Sequence, residues 1–329
     1  MKRNNVYDIA KCWAIFSVIV YHVINIIYNN QPIHSFVDTY FLTLFFFISG
    51  LLTKKEKVSQ DGWLKKQTIH LLVPFSTVFL LYRVYQHYVS GFPIFSSLAF
   101  DDSKSGFWFI LTLYCFFLTI KLLLYVLRRV NNIMLHFAIL AAPFFVVAVL
   151  CLLLSYDVAG YFSLMSFRRY WLFFIYGYAI SNYYDYNKLV LNRYVRYLSL
   201  PLYIILASVY VLKVQDVSSN LDFLIWLLAN FAGCHFYIVL FEWFKEPLSK
   251  GIILSTGQNT LGIYLLHYFP LSCSKLILGS EHILSENPLN YLYATITFMA
   301  ILIVSLFMTW AVKRNSVTAF LFLGIERKN

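Results

Sequence analysis

Ten apolar stretches follow one another along this chain, at roughly 9–28, 37–53, 69–88, 107–127, 133–155, 170–184, 197–212, 222–241, 258–279 and 290–312. Most approach the ~20 residues that a helix needs to cross a hydrocarbon layer about 30 Å thick. Hydrocarbon offers the backbone no hydrogen-bond partners, so a spanning segment of this length must be a helix. The expected fold is an all-α polytopic membrane protein with about ten transmembrane helices. The sixth stretch is the shortest and has polar flanks. An eleventh run, 317–325, is too brief to span and is expected to lie against the membrane surface. No internal repeat or separate soluble domain is visible, so residues 1–329 read as a single membrane-embedded domain. The first stretch has no small-residue cleavage site after it, and we expect a retained span rather than a signal peptide.

Composition excludes the soluble alternatives. Hydrophobic residues make up 60% of the chain and charged residues 12%, against about 45–50% and about 25% in soluble domains. The net charge of +11 does not point to nucleic acid, because lysines and arginines fall in short clusters between apolar runs. They read instead as topology signals and contacts for anionic lipid. With the N terminus inside, eighteen of these cations fall in inner segments and five (Lys104, Arg168, Arg169, Lys213, Lys275) in outer ones. That asymmetry places both termini in the cytoplasm. The five cysteines, Cys12, Cys115, Cys151, Cys234 and Cys273, all lie in apolar segments without metal-ligand spacing.

The first span is unusual in carrying Asp8, Lys11 and His22. Ionisable groups in a bilayer are costly unless paired or facing a wet cavity, so they are functional candidates by default. Eleven residues at 100° each bring Lys11 and His22 to within about 20° on one helix face, with roughly 16 Å of rise between them. A helix entering the hydrocarbon near Ile9 puts His22 toward the outer side and Lys11 at the inner one. Their shared stripe is a candidate lining for a path across the membrane.

The segment from Asp8 to Lys11, ten further residues and then His22, resembles the opening of the membrane acyltransferase-3 family. Its first helix carries Arg or Lys, ten residues, then His. Phe45-Phe46-Phe47-Ile48-Ser49-Gly50 resembles the family's F-F-x-I-S-G at the end of the second span. Phe107-Trp108-Phe109-Ile110 resembles its W-F-L segment, and Leu261 to His267 its late I-Y-x-x-H. The resemblance covers nearly the whole chain. It implies transfer of an acyl group, most often acetyl from acetyl-CoA, to a hydroxyl on a carbohydrate or other envelope molecule. His22 would be the general base, in which role it must be neutral, with Lys11 and His267 completing the catalytic set. No permanently bound cofactor is implied; acetyl-CoA would be a cosubstrate.

The family commonly has Arg-x-x-Arg before a proline at the start of the third span. Here Gln67 and His70 occupy those positions before Pro74. Lys65 and Lys66 stand nearby as point cations without the bidentate fork of arginine. The donor set is therefore expected to be Lys11, Lys65, Lys66 and His70. Arg83, Trp108, Arg168 and Arg169 are the candidates for contact with the acceptor. Arg83 is alternatively a residue that snorkels to the outer interface, Trp108 an interfacial anchor, and His267 and His235 packing residues. The expected setting is the inner (plasma) membrane, with acetyl-CoA, a carbohydrate acceptor and lipid as partners and no nucleic acid. Two further readings remain open on the residues alone: a transporter or flippase for lipid-linked sugar, and a non-catalytic partner in envelope polysaccharide synthesis.

Overall fold

In the computed structural model, residues 5–91, 106–154, 156–161, 163–186, 192–214, 217, 219–279, 282–283 and 287–326 are described. Lys2, Arg3, Lys104, Lys188, Arg327 and Lys328, which entered the charge argument, lie outside them. In chain order the elements are α1 (Asn5–Ile26), β1 (Tyr28–Asn29), α2 (Gln31–Asp38), α3 (Phe41–Leu52), α4 (Lys55–Ser59), α5 (Trp63–Ser90), α6 (Trp108–Leu127) and α7 (Ile133–Leu153). There follow α8 (Tyr156–Tyr161), α9 (Leu164–Tyr183), α10 (Arg193–Val209, continued by a π-helical turn), α11 (Asn220–Trp243), α12 (Lys245–Leu248), α13 (Gly251–Gln258) and α14 (Thr260–Leu266). The chain ends with α15 (Tyr268–Leu278), β2 (His282–Ile283), α16 (Pro288–Val312) and α17 (Ser316–Leu323). Two compact units are formed, one from Met1–Ile48 and Tyr183–Trp310, the other from Ser49–Asn182 and Ala311–Asn329.

This is a multi-pass membrane protein. Among the described residues, nine helical stretches are long and apolar enough to cross a bilayer, with α2 and α3 together making one of them and α14 and α15 another. They match nine of the ten expected spans. The sixth expected span is also a helix, the 20-residue α9, whose length of about 30 Å suits a crossing. Its composition is too polar for it to count among the nine. The reason is local: Trp171, Phe173 and Phe174 are fully buried, so protein covers much of the helix and polar residues are tolerated on it.

In the first unit, polar side chains join helices from within. Thr39 Oγ1 and the Tyr203 hydroxyl lie 2.8 Å apart, and Thr43 donates to Asn230 at 2.7 Å. Asp38 accepts from the Tyr210 hydroxyl at 3.0 Å and the Trp226 indole at 2.9 Å. Such bonds add roughly 0.6 kcal/mol each between membrane helices and fix register more than they add stability.

Helix α1 runs beside the α13–α15 segment, and two observations set their direction. A Cβ on Gly257 would collide with the backbone of Asp8, and His22 meets Tyr268. Positions therefore rise together along both segments, which makes them parallel. The two short strands agree: Tyr28 pairs with His282 and Asn29 with Ile283 in parallel register. Chains leaving α1 and α15 must head the same way to pair so.

In the second unit, Gly50 permits a similarly close approach, because a Cβ there would collide with the carbonyl of Phe174 on α9. Just beyond, Lys54 Nζ donates to the Ser181 carbonyl at 2.6 Å. The Asn182 side chain accepts from the Lys55 N–H at 2.8 Å and donates to the Thr53 carbonyl at 3.0 Å. Burial lowers the pKa of the Lys54 ammonium. This lysine, read as a topology charge, thus also ties the end of α3 to the end of α9.

Candidate active site

The ninth expected span, 258–279, is not one continuous helix. Its hydrogen-bond ladder is interrupted at His267, between α14 and α15, while the backbone dihedrals there stay helical. Pro270 supplies the cause: it has no N–H to give the Leu266 carbonyl, and its ring crowds that carbonyl. Two consecutive residues, His267 and Tyr268, meet the same ring on α1. The His22 and His267 ring centroids are 5.3 Å apart, those of His22 and Tyr268 5.1 Å, and those of His267 and Tyr268 4.1 Å. The Tyr268 hydroxyl lies 3.0 Å from His22 Nε2.

His267 is fully buried, and its Nδ1 lies 2.6 Å from the Tyr264 carbonyl. A carbonyl only accepts, so Nδ1 carries the proton and Nε2 is a bare lone pair. That Nε2 is buried and has no hydrogen-bond partner among the described residues. Beside His22, Tyr21 is stacked on Phe41 at 4.7 Å and lies 4.3 Å from the ring of His34. The cluster combines proton acceptors and a hydroxyl in an otherwise apolar membrane interior.

Lys11 sits one turn after Asp8, and the two form an ion pair of 2.7 Å. Asp8 is 2% exposed, a burial that a carboxylate tolerates only with a partner. The cation expected at the inner mouth is therefore compensated within its own helix. The positions between Lys11 and His22 on the stripe are also filled. Ile15 and Val18 are buried aliphatic residues, so the face expected to line a path is packed along its middle.

The second unit holds the remaining sequence-derived candidates. Lys65 and Lys66 are exposed on the first turn of α5. His70 is exposed, and its backbone packs against the segment that follows α17, where a Cβ on Gly324 would collide with it. Arg83 is 2% exposed; it does not snorkel to the surface but donates to Gln86 at 3.2 Å and lies over the Phe79 ring. Trp108 stacks on Tyr170 at 5.5 Å, and the Arg169 guanidinium lies 5.7 Å from that same ring. Tyr170 thus lies close to both Trp108 and Arg169, while Arg168 is half-buried.

The profile of the acyltransferase-3 family, described as "Acyltransferase domain", matches residues 4–310. The chain belongs to the acyltransferase-3 family. No curated protein and no solved structure matches the sequence.

As an acyltransferase-3 protein, this chain is a membrane enzyme of acyl transfer, and the motifs that carried the resemblance separate into two kinds. Those ending in His22 and His267 converge on one cluster. Gly50, at the end of the second motif, serves close helix packing, as small residues do in membranes. Sequence reasoning missed Tyr268, Tyr21, His34 and Tyr170. The available signal for Tyr268 was its place next to His267 and two residues before Pro270. The others are common residue types whose contacts depend on tertiary structure.

Proposed function

We propose that this acyltransferase-3 protein moves an acetyl group from cytosolic acetyl-CoA to a hydroxyl of a cell-surface glycan or its lipid-linked precursor, in the plasma membrane. The observation that carries the reading is the juxtaposition of His22, His267 and Tyr268. In the proposed reaction His22 takes the proton from the acceptor hydroxyl as its oxygen attacks the thioester carbonyl. The new C–O bond forms, the C–S bond breaks, and the proton on His22 passes to the departing CoA sulfur. A positioned general base contributes about 10²–10⁴ in rate, so an enzyme without it should be nearly silent.

Lys65 and Lys66 are the proposed cations for the CoA phosphates. Lys11, already paired with Asp8, contributes less net charge to that task than an unpaired lysine would. Trp108, Arg168 and Arg169 are the proposed contacts for the acceptor, with Arg83 as the buried guanidinium of the same unit. The test is binding and transfer together. Lys65→Ala/Lys66→Ala should raise the KM for acetyl-CoA by about tenfold and leave kcat within about twofold. An unchanged KM would remove these lysines from the donor site.

A further inference from the structure

The two imidazoles are held by opposite kinds of partner. The Tyr264 carbonyl forces His267 into the Nδ1–H tautomer. His22 meets a hydroxyl instead, which can donate or accept, at 3.0 Å from Nε2. The two directions have different chemical consequences. If Tyr268 donates, its proton occupies the Nε2 lone pair of His22 while Nδ1 carries the ring proton. Neither nitrogen can then receive the proton of an incoming hydroxyl. If Tyr268 accepts, Nε2 carries the proton and Nδ1 is left as a lone pair. Only the second arrangement makes neutral His22 a ready base.

We infer that Tyr268 is a positioning residue for acyl transfer: its oxygen accepts the Nε2–H of His22 and fixes the tautomer whose Nδ1 takes the acceptor's proton. The inference rests on the general-base reading given above and deepens it. It follows the logic by which a base is itself oriented through its other ring nitrogen. When His22 Nδ1 takes the proton, the Nε2–H bond to Tyr268 is retained, so no side chain must turn during the step. Tyr268 is held for this role by packing, since its ring lies 4.1 Å from His267 and the residue is 5% exposed.

Tyr268→Phe removes the hydroxyl and keeps the ring that packs on both imidazoles. In membranes this variant should lose about tenfold or more in kcat, with KM for acetyl-CoA within about twofold. An independent readout comes from ¹⁵N-histidine-labelled protein in lipid bilayers, with the His22 signals identified by their loss in His22→Gln. Wild type should show Nδ1 as the unprotonated nitrogen of His22, and Tyr268→Phe a mixture of tautomers. Nε2 as the unprotonated nitrogen in wild type would overturn the inference, as would a variant matching wild type in both tautomer and kcat. If wild type transfers no acetyl, the substrate reading fails, and the tautomer spectra still decide the role of Tyr268.

Discussion

At the scale of single residues, the membrane makes some side chains conspicuous and hides others. His22 and Lys11 stand out in the sequence because ionisable groups are costly in an apolar run. Their spacing shows that they share a face; it does not show that Asp8 neutralises Lys11 or that Ile15 and Val18 close the stripe between. Tyr268 is one of 26 tyrosines, and nothing local sets it apart from those that merely pack. Gly257 carries the contact that brings α1 against α13, because any Cβ there meets the Asp8 backbone. Gly257→Val should therefore force the helices apart and destabilise the protein by about 1–3 kcal/mol. Thermal unfolding in detergent would register this as a lower Tm, and an unchanged Tm would mean that the close approach does not matter.

At the scale of elements, hydropathy located nine spans well, because lipid contact demands apolar side chains. It located α9 poorly, because a helix covered by protein is free of that demand. It also could not show that the ninth span is divided, although Pro270 marks the place. Pro270→Ala supplies the missing N–H and lets α14 and α15 join as one helix. Stability should be kept, while acyl transfer should fall by about tenfold or more as His267 and Tyr268 move away from His22. Full activity in a stable variant would show that the break is dispensable. On the other unit, Asn182→Ala removes the bonds to Lys55 and Thr53 that join α3 to α9. The expected loss is about 1–2 kcal/mol, since partly buried backbone groups are left unpaired; denaturation of the variant in detergent checks it.

At the scale of the whole molecule, an even number of crossings follows if α9 crosses with the other nine. Both termini are then expected on one side, and the distribution of lysine and arginine points to the cytoplasmic one. In a chain with its native cysteines replaced, Arg129→Cys and Lys250→Cys should react with an impermeant thiol reagent only from the cytosolic side. Tyr88→Cys and Asn220→Cys should react only from outside, and the reverse pattern would refute the orientation. This topology matters for function because the proposed donor is cytosolic and the proposed acceptor belongs to the cell surface. His22 is the residue on which the account depends most. Membranes carrying wild type or His22→Ala should be supplied with radiolabelled acetyl-CoA and the products fractionated. The account predicts label in a glycan fraction with wild type and essentially none with an equally abundant His22→Ala protein. Labelling by His22→Ala at the wild-type level would contradict it.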